Sequence, residues 1–166
     1  MMTNLRRFVL MVAVMFWQGG FTFYSAVVIH VGKQVLGSHL EQGFVTRSVT
    51  NYLNVAGAVA LLLWGWDLAV TMESGIRRKL RWGLWIALVL ALGALAWLHV
   101  DLDELLNPSA LEILDRPRFL GLHRLYLYVS EVQWGGSLIL GALTLVAWRA
   151  EDTKQAAVNG GSSAVT

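Results

Sequence analysis

The chain has no cysteine, only two prolines and little charge. Without cysteine there is no disulfide scaffold, no thiolate metal site and no thiol nucleophile. That absence leaves the redox compartment open. Charged residues make up 14% of the 166 residues and hydrophobic residues 56%, with mean hydropathy +0.55. A soluble domain carries about a quarter charged residues, so the composition is that of an integral membrane protein. Phosphate-binding glycine loops, a Gly-x-Ser-x-Gly elbow and His-Glu-x-x-His are all missing, which argues against the commonest nucleotide, hydrolase and zinc-protease chemistries. The sequence pI near 9.2 suggests nucleic acid at first sight. The basic residues, however, cluster at the ends of apolar segments, where membrane topology puts them.

A spanning helix needs about 20 mostly apolar residues. Four segments qualify, near residues 8–31, 52–72, 82–100 and 120–148. The expected fold class is therefore all-α, a polytopic four-transmembrane-helix bundle. Arg6 and Arg7 precede the first segment, Arg77, Arg78, Lys79 and Arg81 crowd the second connection, and Arg149 and Lys154 follow the fourth. This density predicts both termini on the cytoplasmic side of a multi-pass membrane protein, in a bacterial inner membrane or its equivalent. The first segment is too long for a secretory signal core and reads as an uncleaved helix. Residues 1–150 form the transmembrane domain, and the small polar stretch 155–166, within the tail 151–166, is expected to be disordered.

Short outer interfacial helices are also expected. Ser38-His39-Leu40-Glu41 fits a capping box, opening a helix that runs into the second span. Asn107-Pro108 fits a cap followed by proline, with a short helix over 110–115 stopped by Pro117. Trp82, Trp85, Trp97 and Trp148 fall where an interfacial aromatic belt belongs.

Polar residues inside the spans are the candidates for function. Gln18 shares a face with Thr22 and Ser25. In the fourth span His123, Tyr126, Ser130, Gln133 and Ser137 form one stripe, and Arg124, Tyr128 and Glu131 form another. Gly19 and Gly20 are expected to meet Gly135 and Gly136 where the first and fourth helices cross, with Gln18 reaching Glu131 or Gln133 across the seam. Gly83, Ala87 and Ala91 suggest a second packing face. Glu131 lies near mid-span, where an ionised carboxylate costs at least ~3 kcal/mol. Its functional reading is a proton or cation relay with Arg124 and Tyr128. Asp67 is a second acid within a span, for which Arg77 or Arg81 is the natural partner.

His30, His39, His99 and His123 all fall on the expected outer side. Imidazole is the commonest metal ligand, and a copper, zinc or haem site using His30, His99 and His123 is the alternative to solvated histidines. No spacing matches a metal motif.

The segment Gly19-Gly20-Phe21-Thr22-Phe23 with Val27-Val28, and Phe119-Leu120-Gly121-Leu122-His123-Arg124 opening the last helix, resemble a family of small four-helix membrane proteins. These are of unknown function and loosely grouped with copper-resistance D-type membrane proteins. The resemblance covers the first and last helices. It implies a four-helix bundle with His123 at a recurrent position and carries no established activity. Where the family often has a proline near the end of the first helix, this chain has His30.

Together these features point to a non-enzymatic integral membrane protein. It is expected to be an accessory subunit of a membrane complex or a small-solute- or ion-handling bundle. A haem- or metal-binding redox protein is the alternative. The expected partners are the lipid bilayer and other membrane subunits or further copies, with no nucleic acid and no resident cofactor on the leading reading.

Overall fold

A computed structural model describes residues 2–73, 75–107, 110 and 112–162. Among the described residues all regular structure is helical apart from one small hairpin. The elements are α1 (Met2–Phe23), a π-helical segment (Tyr24–Val28), α2 (Ile29–Leu36), α3 (His39–Val70), α4 (Ile76–Glu104), β1 (Leu106–Asn107), β2 (Glu112–Ile113) and α5 (Arg116–Ser162). Four helices are long and apolar enough to cross a membrane, with α1, the π segment and α2 counting as one continuous rod. Each extends beyond its apolar core because polar flanks continue a helix that is already nucleated at little cost. α4 packs between α3 and α5, and α3 packs against α1.

Helix ends follow local chemistry. Gly37 adopts φ 67°, a left-handed conformation that glycine takes without a Cβ penalty, and its amide donates to the Lys33 carbonyl at 3.2 Å to close α2. Ser38 then caps α3 by accepting from the Glu41 amide at 3.3 Å. α3 runs unbroken from that cap to Val70, so the helix expected to open at Ser38 and the second long apolar segment are one helix.

The connection between α4 and α5 corrects the sequence expectation. No short helix forms around residues 112–115. Leu106 pairs with Ile113 and Asn107 with Glu112 in an antiparallel hairpin. Asn107 uses its side chain to accept from the Ala110 amide at 3.2 Å, a local turn bond that competes with helix. Pro108, Ser109 and Leu111 lie outside the described residues. Pro117 stops nothing. It sits in the first turn of α5, where its missing amide is harmless, and Asp115 caps that turn by accepting from the Arg118 amide at 3.1 Å. At the other end α5 continues to Ser162. Residues 155–162, expected to be disordered, are thus helical, and residues 163–166 lie outside the described residues.

The core has two apolar clusters. One gathers Leu10, Trp17, Ala60, Leu61, Trp64, Leu88, Leu140 and Trp148 toward the end that carries the chain termini. The other gathers Leu95, Leu98, Leu102 and Tyr126 toward the opposite end. Close approaches lie at Gly57, which the sequence does not single out, and at Gly65, two residues before Asp67, where a tight contact is expected. A Cβ on Gly57 would stand 2.9 Å from the Trp17 indole, and one on Gly65 would stand 2.8 Å from that of Trp85.

The expected glycine seam is not formed. Nothing lies within 4 Å of a Cβ built on Gly19 or Gly135, while Gly20 faces Leu53 of α3 and Gly136 faces Leu88 of α4. α1 and α5 touch through long side chains instead, as in the 3.1 Å bond from Trp134 Nε1 to Thr22 Oγ1. Gly83 and Ala87 are exposed on the outside of α4. Two of the four belt tryptophans are structural. Trp85 donates to the Leu61 carbonyl at 2.8 Å, and Trp148 is buried.

Candidate functional site

Two polar assemblies occupy opposite ends of the bundle. At the end carrying the termini, Asp67 on α3 is fully buried. Arg81 of α4 donates to it at 3.0 Å, and Trp148 Nε1 of α5 lies 3.1 Å and 3.2 Å from its two oxygens. Arg6 of α1 forms an ion pair with it at 3.0 Å, so all four long helices meet on one carboxylate. Arg81 also donates to Glu73 at 2.8 Å, and Arg77 pairs with the same carboxylate. Thr144 accepts from Trp64 Nε1 at 2.9 Å and from Arg81 at 3.4 Å. Nearer the surface Arg7 lies over the Trp148 ring and bonds Glu151 and Asp152, each at 2.8 Å.

Removing such charges from water costs several kcal/mol per ion. Here every buried carboxylate has a guanidinium partner, and the assembly acts as a clasp joining α1, α3, α4 and α5. Of the two partners the sequence suggested for Asp67, Arg81 takes that place and Arg77 pairs with Glu73 instead. The roles of Arg6, Thr144, Trp148 and Glu73 were not foreseen, because Arg6 and Trp148 carry an equally good topology or belt reading. The nearest signal was an acid inside a span with an aromatic and a basic residue at the matching depth of other spans.

Glu73 sits in the connection outside the spans. Burial opposes its ionisation, but hydrogen bonds and charge from Arg77 and Arg81 outweigh that and hold it below the ordinary value of 4.5. The carboxyl is therefore easier to ionise in the folded chain than in the unfolded one. Its contribution is complete above the unfolded value and is lost as pH falls through the folded one. Unfolding in detergent should show stability constant above about pH 5 and falling below pH 4, with Glu73→Gln removing part of that acid dependence. An identical acid profile in the two proteins would contradict this account.

At the opposite end a cavity of about 530 Å³ lies among α2, α3, α4, β1 and α5. Lys33, Gln42, Arg47, His99, His123 and Tyr126 supply polar groups to its wall, and Leu102, Phe119, Leu120 and Leu127 supply apolar ones. Arg47 is held by Asp103 in a two-pronged contact at 2.5 Å and 2.9 Å, and His99 Nε2 lies 3.7 Å from the same carboxylate. Gln42 donates to the Tyr24 hydroxyl at 3.3 Å, which bonds Thr46 at 2.9 Å. Asn54 donates to the Tyr126 hydroxyl at 3.2 Å. His123 stacks on Phe119 with the rings 6° from parallel.

The histidine trio is therefore split. His99 and His123 share the cavity, whereas His30 is exposed and does not line it. Among the described residues no group of three or more His, Asp or Glu side chains is placed to hold a metal ion.

The two stripes of the last helix also separate. Arg124, Tyr128 and Glu131 all lie exposed on the outside of the bundle. Tyr126, Ser130, Gln133 and Ser137 face the interior and are buried. Gln18 is buried too. It does not reach Glu131, which points away from it, and it makes no bond to Gln133. The Gln18 carbonyl oxygen and the Gln133 amide nitrogen are both without a hydrogen-bond partner.

Comparison of the chain with protein-family models, with curated proteins and with solved structures returns no match.

Proposed function

We propose that this is a non-enzymatic membrane bundle that takes a small amphipathic solute into the cavity opposite its termini. The observation that carries the reading is the cavity itself. Its volume falls within the roughly 300–1,000 Å³ typical of small-molecule sites, and its wall combines apolar surface with a few convergent polar groups. Arg47 is neutralised by Asp103, which leaves Lys33 and two imidazoles to favour a solute with an acidic or hydrogen-bond-accepting head. The bias of basic residues supports a cytoplasmic clasp and an outward-facing cavity. His123, in the segment that resembles the copper-resistance D-type grouping, lines this cavity.

Native mass spectrometry of the detergent-purified protein tests it. Wild type should retain a bound mass of small-molecule size, and Thr46→Trp, which fills the cavity, should lose it. Equal retention by both proteins counts against the cavity.

One observation favours membership of a larger membrane assembly as well. Glu131 faces outward from the middle of a spanning helix, where lipid alone is a costly environment for a carboxylate. A partner subunit or second copy over this face relieves that cost, and copurification in mild detergent reads it directly. The haem or metal alternative rests on His99 and His123 sharing one cavity, and a Soret band or bound metal in purified protein is its readout.

A further inference from the structure

The interior positions of α5 recur in alternating steps of four and three, as a packing seam requires. They are Tyr126, Ser130, Gln133, Ser137, Leu140 and Thr144, each less than a tenth exposed. A seam in lipid tolerates small hydroxyl residues, and here each hydroxyl donates back to its own helix. Ser130 bonds the Tyr126 carbonyl at 2.8 Å, Ser137 that of Trp134 at 2.7 Å and Thr144 that of Leu140 at 2.7 Å. Packing accounts for these residues.

It does not account for the two glutamines. Gln133 is 4% exposed and Gln18 8%, yet one has an open amide donor and the other an open carbonyl acceptor. Each unmet buried group costs about 1–3 kcal/mol. On α5, Gln133 lies at a level between the two apolar clusters, after Tyr126 and before Leu140. Gln133 lies one turn from both Ser130 and Ser137 on one face of α5, and an open donor between hydroxyl oxygens with free lone pairs is what buried water satisfies.

We propose that this interior face is a water-holding half-channel for protons, entered from the cavity at Tyr126 and closed by a dry layer at Leu140. From Tyr126 to Ser137 the path is about 16 Å long at 1.5 Å per residue. Protons hop between waters held by Ser130, Gln133 and Ser137, and no covalent bond of the protein changes. Below Ser137 the fully buried Leu140 packs with Leu10, Trp64 and Leu88. Beyond that layer Thr144 contacts Arg81, which holds Asp67. The half-channel shares its mouth with the solute cavity but needs no solute.

The chain has no native cysteine, so each introduced thiol is unique. In proteoliposomes exposed to Ag⁺, Ser130→Cys and Ser137→Cys should react within about tenfold of the rate of Thr46→Cys in the cavity, because access limits a thiol's reaction. Leu140→Cys should react at least ~100-fold more slowly for the same reason. Serine to cysteine changes one atom, which keeps the fold. Equal protection of all three interior thiols overturns the half-channel. A second measurement tests the gate. Leu140→Ser should raise proton flux into vesicles at least ~tenfold, and adding Gln133→Leu should abolish the gain. Unchanged flux in Leu140→Ser overturns the gate. Neither readout depends on whether Thr46→Trp loses a solute, so the two proposals fail separately.

Discussion

Replacing Arg81 with alanine should lower the stability of the bundle by about 3–5 kcal/mol, the usual cost of removing one partner from a buried ion pair. Arg81 is 1% exposed, and it bonds both Asp67 and Glu73. Its loss leaves Asp67, which no water reaches, with Arg6 and the Trp148 indole alone. Reversible unfolding in mixed micelles measures the effect. Adding Asp67→Asn to Arg81→Ala should return a substantial part of the loss, since the stranded charge then disappears, and the non-additivity isolates the pair. Arg81→Lys should fall between, because one ammonium cannot address Asp67, Glu73 and Thr144 with separate nitrogens. A loss under about 1 kcal/mol for Arg81→Ala, the range of exposed pairs, would show that the clasp is not the buried assembly described.

The second large effect is expected at Gly57. An added methyl group would stand 2.9 Å from both Cε2 and Nε1 of Trp17, a separation that forces the rigid indole or the helix to move. Gly57→Ala should cost about 1–3 kcal/mol through overpacking, and Gly57→Val more. Trp17→Leu in the same background should recover part of it. Gly19→Ala is the contrast. Its Cβ meets nothing within 4 Å, and alanine is the better helix former by about 1 kcal/mol, so that variant should match or exceed wild type. The reverse order of the two glycines would contradict the packing described.

The number and approximate extent of the long apolar helices were legible in hydropathy, because about 20 apolar residues in a row admit few other structures. The Ser38 cap and the Asp67–Arg81 pair were legible from local chemistry. Which face of each helix turns inward was not. In a soluble protein apolar residues mark the buried face, but in a membrane both lipid and interior accept them. Helical geometry separates Glu131 from Gln133, two residues apart, onto different stripes of α5, but only the rotation of α5 shows that the Gln133 stripe lies within and the Glu131 stripe outside. The glycine pairs misled for the same reason. Gly-Gly in α1 and Gly-Gly in α5 suggest a close crossing only if those two helices are backbone neighbours, and here α3 and α4 are the helices that pack most closely against them. The hairpin after α4 was hidden by Asn107-Pro108, a pair that serves a turn as readily as a helix start.

The π segment at Tyr24–Val28 adds about one residue to a turn of the first rod. That single residue sets a phase difference of roughly 100° between the helix before it and the helix after it. Up to and including the first residue of that segment, Leu10, Trp17 and Tyr24 recur every seven residues and stay buried. Downstream, Gly32 lies so close to the Gln42 amide that a Cβ there would fall 1.8 Å from its oxygen, and Ile29 and Lys33 line the cavity. Deleting one residue between Tyr24 and Val28 would leave every backbone bond of an ordinary helix available. It would also swing Gly32 off Gln42 and carry Ile29 and Lys33 around the rod, so the cavity wall is indexed to the core of α1 by an inserted residue.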